Sequence, residues 1–187
     1  MNQRVLLVPG TFDNRGDPAG PRWWKLGSSF WWMLRDLGFE PLSFAWSTRL
    51  DGVLGRNDAW EAAGANLLKQ LLPGDRIIAF SHGGQVVAYA LHSINAVVPR
   101  IHSVITLATP VRDDVHYVGI KVAAEAWTHV YGSNFDFWQI LGAIGDRALH
   151  PFRRKMPLAA NNIKVEGGHA DTHSVETWER YRLGDLL

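Results

Sequence analysis

Three kinds of side chain in this 187-residue chain are spaced as acyl-transfer chemistry needs them: a serine, carboxylates after it, and histidines beyond both. The serine is Ser81. It stands between an apolar, partly β-branched run at residues 76–80 and a run from Gln85 to Leu91 that is apolar at near-helical spacing. A strand, a tight turn and a helix are therefore expected in succession, with Ser81, His82, Gly83 and Gly84 at the junction. A serine in that position is raised on a strained turn at the carboxyl end of a strand. The N-terminus of the next helix lies beside it, and its free N–H groups and partial positive charge suit an oxyanion. Gly83 and Gly84 carry no Cβ, which lets the helix pack close to the strand. Residues 79–83 follow G-x-S-x-G, the strand-turn-helix nucleophile pattern, except that Ala79 takes the place of the first glycine. The competing reading is a turn of any doubly wound fold in which Ser81 only caps a helix.

A neutral hydroxyl needs a base to take its proton and a carboxylate to orient that base. For a serine on such a turn the chain order is Ser, acid, His, each just after a strand. Asp136 follows a strand expected at 127–131 and is the favoured acid; Asp113 and Asp114 are earlier alternatives, and Asp146 lies too far along. The ordinary role of a loop Asp is to form a turn or cap a helix. The favoured base is His169, which follows Gly167 and Gly168 and leaves room for a loop before the closing helix. His173 is the alternative base, but it falls nearly on that helix, where it would cap or pack. His169, Asp171 and His173 could also be metal ligands. No second His/Asp cluster of matching character accompanies them, so no metal is expected. The oxyanion needs two amides: His82, directly after the nucleophile, and Thr11, in the loop where Pro9 and Gly10 end the first strand.

The elements that must position these residues alternate. Strands are expected at 4–8, 40–46, 76–80, 100–107, 127–131 and 162–165, and helices at 22–37, 57–72, from 85 to about 94, and 175–182. Residues 113–126 are ambiguous and hold a short helix. Alternation of this kind predicts an α/β fold: a three-layer α/β/α sandwich with a mostly parallel sheet of six strands, in one domain spanning 1–187. Ligands of such sheets bind at the carboxyl ends of the strands.

Taken together, residues 9–12, 81–84, Thr109 with Pro110, Asp136 and His169 resemble the α/β-hydrolase superfamily in kind and order over nearly the whole chain. The resemblance is strongest to compact lipases and esterases without a cap domain. It implies hydrolysis of an ester, thioester or amide through an acyl-enzyme on Ser81, with no cofactor. Val111 and Arg112 follow Thr109 and Pro110 where lipases commonly carry His and Gly, so lipid specificity does not carry over.

Composition narrows the alternatives. The chain is 47% hydrophobic and 20% charged, as globular domains are. A net charge of +1 gives no electrostatic case for nucleic acid or an anionic membrane. The absence of cysteine excludes a thiolate nucleophile, disulfides and thiolate-bound metal. The apolar run at 5–8 is too short for a signal peptide and no stretch is long enough to span a bilayer, so a cytoplasmic protein without stable membrane insertion is expected. A nucleotide-binding fold would need a glycine-rich phosphate loop after the first strand, and residues 10–16 do not match one. A non-catalytic binding protein on the hydrolase fold is the other alternative; such a relative would usually lose the Ser, Asp, His order. Nine tryptophans is a high count, and Trp23, Trp24, Trp31 and Trp32 fall in one expected helix. Core packing accounts for most of them. Phe12, Trp23 and Trp24, close to the oxyanion loop, are candidates to line a substrate pocket.

Overall fold

The computed structural model describes residues 3–11, 22–46, 57–92, 97–112, 115–134 and 154–187. Six strands form one sheet: β1 (Gln3–Val8), β2 (Phe39–Ser43), β3 (Arg76–Phe80), β4 (Ile101–Leu107), β5 (Ala124–Gly132) and β6 (Asn161–Val165). Their order is β2-β1-β3-β4-β5-β6 and every pairing is parallel. Among the described residues five α-helices accompany them: α1 (Ser29–Asp36), α2 (Asn57–Leu68), α3 (Gly83–Leu91), α4 (Val118–Ala123) and α5 (Val175–Arg180).

The strands send alternate side chains into two cores, as pleating requires. Leu6, Val8, Ile77, Ala79, Val104 and Trp127 join Trp60, Leu67, Val86 and Ile120 on the side of α2, α3 and α4. Val5, Leu7, Ile78, Phe80, Ile105 and Val130 join Phe30, Leu34 and Trp178 on the side of α1 and α5. Burial on both faces is why the strands read as continuous apolar runs.

Several elements differ from their expected extents: α2 ends at Leu68 rather than residue 72 and β2 at Ser43 rather than residue 46, and two further differences have a visible cause. The helix expected from residue 22 begins at Ser29, because Ser28 stops it: its Oγ accepts from Trp31 N at 3.0 Å and donates to the Trp23 carbonyl at 2.7 Å. Gly27, with φ +92°, completes the break. Strand β5 is nine residues long where five were expected. Ala124 to Ala126 favour helix intrinsically, but pairing of Ile101 with Ala124 and Ser103 with Ala126 draws them into the sheet.

Candidate active site

Strand order reverses between β1 and β3, so their carboxyl ends border a crevice at a topological switch point. Ser81 sits there, directly after β3, with φ +52°. A left-handed serine is strained, and the strain is held by neighbours on every side. The Ser81 amide donates to Leu107 O at 2.8 Å, and its carbonyl accepts from Gly84 N at 3.0 Å. A Cβ on Gly10 would lie 2.7 Å from Ser81 Cβ; one on Gly83 would lie 2.5 Å from Val8 O; one on Gly84 would collide with the Thr109 side chain. Glycine at 10 and 83 lets the turn and α3 meet the end of β1, and glycine at 84 lets α3 meet the end of β4. Ser81 is 8% exposed. Its hydroxyl makes no hydrogen bond among the described residues, so it is not consumed as a helix cap. The first residue of α3 is Gly83, and His82 precedes it without a side-chain capping bond.

On the α2/α3 side of Ser81 the groups are tied by polar contacts. His82 Nδ1 and Thr11 Oγ1 share a hydrogen bond of 2.6 Å. The His82 ring is 5.2 Å from the Trp60 ring, centroid to centroid, and the Arg112 guanidinium lies 4.8 Å over the same indole. Trp46 Nε1 donates to Pro9 O at 2.8 Å, holding the start of the loop from outside. The Thr11 amide makes no hydrogen bond among the described residues. At the neighbouring strand end, Pro110 O accepts from Gln85 Nε2 at 2.9 Å and from the Tyr117 hydroxyl at 3.0 Å.

On the α1/α5 side the groups meet through rings. Phe80 precedes Ser81, and alternation along β3 sends it to the face opposite Ala79. Its ring lies 4.7 Å from His169, 4.6 Å from His173 and 6.1 Å from Trp23. His173 is also stacked on Trp23 at 5.2 Å and 12°. Burial pushes the His173 pKa down to about 4; a hydrogen bond to its own backbone opposes this in part, and the smaller effects of His169 (downward) and Asp171 (upward) follow. His173 is therefore a neutral, packed ring in a 3-10 turn, Ala170–His173. His169 caps that turn, and the loop carrying it is fixed by its neighbours. Gly168 N donates to Asp171 Oδ2 at 2.6 Å, and Thr172 Oγ1 to His169 O at 2.9 Å. Neither histidine is hydrogen-bonded to Ser81.

Asp136 lies outside the described residues, as do Asp113, Asp114, Asp146 and Phe12. The chain leading toward Asp136 is described as far as Asn134, whose amide donates to Gly167 O at 3.0 Å. Arg154 Nη1 donates to the carbonyls of Gly132 and Asn134 at 2.8 and 2.6 Å. The exit of β5 is thus bound to the loop of His169. Trp24 is 2% exposed and sits in the α1/α5 core beside Trp23. The sequence does not point to Phe80 or Trp60, and it marks Arg112 only as a departure from the lipase pattern; the one signal for Phe80 is its place next to Ser81 on a strand whose alternation is legible. Among the described residues no group of three or more His, Asp or Glu side chains is placed to hold a metal, and no helix is long and apolar enough to cross a membrane. A groove of about 640 Å³ between α1 and α5, lined by Trp32, Asp36, Leu37 and Glu179 among others, does not include Ser81, His169 or Thr11.

No protein-family model and no curated protein matches this sequence. Solved structures do match in fold. The ydeN gene product of B. subtilis has a TM-score of 0.62 at 12% identity, with 98% of each chain covered. The esterase RhEst1 from Rhodococcus sp. ECU1013 has a TM-score of 0.55 at 8% identity, covering 100% of this chain and 92% of its own. The Paleococcus ferrophilus monoacylglycerol lipase has a TM-score of 0.51 at 13% identity, with 98% and 92% covered. With its parallel six-stranded sheet and flanking helices, this chain has the α/β-hydrolase fold that it shares with these proteins.

Proposed function

We propose that the protein is a serine hydrolase that cleaves carboxylic esters, thioesters falling within the same chemistry. The observation that carries this reading is Ser81 itself: a non-glycine residue at φ +52°, at the switch point of the sheet, whose hydroxyl makes no hydrogen bond among the described residues. Ser81 Oγ attacks the ester carbonyl while His169 takes its proton. The amides of Thr11 and His82 hold the negative oxygen of the tetrahedral intermediate. His169 then returns the proton to the leaving alcohol, and water releases the acid by the same steps in reverse. His169 serves as base in preference to His173 because a histidine held neutral down to about pH 4 accepts a proton poorly at pH 7. Asp136 orients His169 in this scheme; it lies two residues beyond Asn134, which is bonded to the loop of His169. The esterase and lipase activities named for two of the fold relatives agree with it.

A fluorophosphonate probe with mass spectrometry of the adduct, alongside a p-nitrophenyl ester series, tests the proposal. The adduct is expected on Ser81, and Ser81→Ala should remove it and lower turnover by at least about 10⁴-fold. A folded protein with neither adduct nor turnover would leave the non-catalytic binding protein as the reading.

A further inference from the structure

The residue after a nucleophilic serine is needed for its backbone amide, and its side chain is free to be anything. Here it is a histidine that reaches back to the other proposed oxyanion donor. We infer that the His82 side chain is a positioning residue: through its bond to Thr11 Oγ1 it clasps the first-strand loop to the serine turn and sets the spacing of the two oxyanion amides. This inference rests on the hydrolase reading of Ser81 and adds a role that reading does not require.

The loop and the turn already touch, through Gly10 against Ser81 and through Gly83 against the carbonyls of Val8 and Pro9. Those contacts bring the backbones together without fixing the rotation of the Thr11 peptide. A hydrogen bond of 2.6 Å adds direction. Threonine is β-branched and stiff at χ1, so holding Oγ1 constrains the Thr11 backbone as well. The other end of the clasp is equally constrained. His82 is 5% exposed and its ring faces Trp60, which is completely buried and covered in turn by Arg112. Arg112, Trp60, His82 and Thr11 thus form a continuous stack from the core to the loop. A preformed donor pair costs no rearrangement when charge develops on the oxygen, which is where such a clasp gains its effect.

The test is a set of substitutions read by ester turnover and by inhibition with an alkyl boronic acid, whose serine adduct mimics the tetrahedral intermediate. Thr11→Val keeps the shape and the backbone amide and removes only the hydroxyl. Thr11→Val and His82→Ala are each expected to lower kcat by about 10- to 100-fold, less than the 100- to 1000-fold typical of losing a donor outright. KM should stay within about threefold, and boronic acid affinity should fall in step with kcat/KM. Thr11→Ser and His82→Asn should restore most of the loss, and the double variant Thr11→Val/His82→Ala should be no worse than the poorer single one. An unchanged kcat in Thr11→Val, or additive losses in the double variant, would overturn the inference while leaving the hydrolase intact. If His82→Ala does not fold, Thr11→Val and Thr11→Ser carry the comparison alone. A wild-type protein that neither turns over esters nor takes the fluorophosphonate would bring down the hydrolase reading first, and the positioning role with it.

Discussion

The two sides of Ser81 are built from different materials. Toward α2 and α3, the loop after β1 and the serine turn are joined by a short hydrogen bond backed by a buried indole and a guanidinium. Toward α1 and α5, two histidines and Trp23 gather around Phe80 by ring contacts, and among the described residues neither histidine is hydrogen-bonded to the Ser81 hydroxyl. A hydrogen bond is directional, whereas aromatic packing permits a ring to shift by fractions of an ångström at little cost. The difference suits the two tasks proposed for these sides. Oxyanion donors work best when fixed in advance. The base must approach Ser81 Oγ to take its proton, and catalytic bonds in free hydrolases often tighten only around substrate.

The largest expected effect sharpens the division within the aromatic side. His169→Ala should lower kcat/KM by about 10⁴-fold or more, as loss of a catalytic base does. His173→Ala should cost about tenfold or less in activity and show itself in the melting temperature, because the ring it removes is stacked on Trp23 and set edge-on to Phe80. Steady-state kinetics on both variants decides the assignment. Equal losses would mean that the two imidazoles act together. A catalytic loss confined to His173→Ala would exchange their roles.

A smaller effect separates the sides by pH. His173 and His129 both have pKa values lowered by burial to about 4. His129 is fully buried on β5, with Nδ1 2.9 Å from Thr106 Oγ1. The unfolded chain takes up protons near pH 6.5 that the folded chain refuses until about pH 4. Each neutral ring therefore contributes stability that is present above pH 6.5 and lost as pH falls toward 4. For His129 the loss is on the order of 3 kcal/mol over that window, and for the partly exposed His173 it is less. Urea unfolding at pH 7 and pH 5 should show the decline. His173→Phe keeps a ring against Trp23 and Phe80 without the titration, so it should flatten the slope in part, and His129→Asn should remove most of the remainder. A wild-type slope that survives both substitutions would place the acid-sensitive groups elsewhere.

What could be read from sequence was what is local. The β3 strand, the turn and α3 lie within sixteen residues, and the glycines at 83 and 84 announce a close approach, which proves to be to Val8 O and Thr109. The early stop at Ser28 was not legible. Its Oγ is fixed by the carbonyl of Trp23, and an unbroken reading of 22–37 sees only apolar and helix-favouring residues. The strand start at Ala124 was lost for the opposite reason, since helix formers there yield to pairing with β4. The gathering of Trp23, His169 and His173 at Phe80 joins residues from three distant parts of the chain, and no spacing encodes it.

The smallest expected effect concerns the tryptophans that flank the break before α1. Trp23 reaches the site, because its ring covers His173 and the edge of Phe80. Trp24 belongs to the same core and is 2% exposed, but its Nε1 is buried without a hydrogen-bond partner among the described residues, and Lys25 lies 5.1 Å over its ring. Its link to the rest of the fold is a main-chain one, the Trp24 carbonyl accepting from Ser43 Oγ at 2.6 Å. Trp24→Phe keeps that carbonyl and most of the buried ring while deleting the orphaned N–H. The lost ring volume costs stability and relief of the unpaired donor returns some, each about 1–3 kcal/mol, so the net change should be within about 1 kcal/mol. Ester kcat and KM should stay within about twofold of wild type, because Trp24 makes none of the ring contacts by which Trp23 meets His173 and Phe80. Trp23→Phe, by contrast, thins the surface behind His173 and should alter KM across an acyl-chain series. Should Trp24→Phe change chain-length preference and Trp23→Phe not, the substrate would lie on the far side of Trp23, and the aromatic side of the site would extend beyond the histidines.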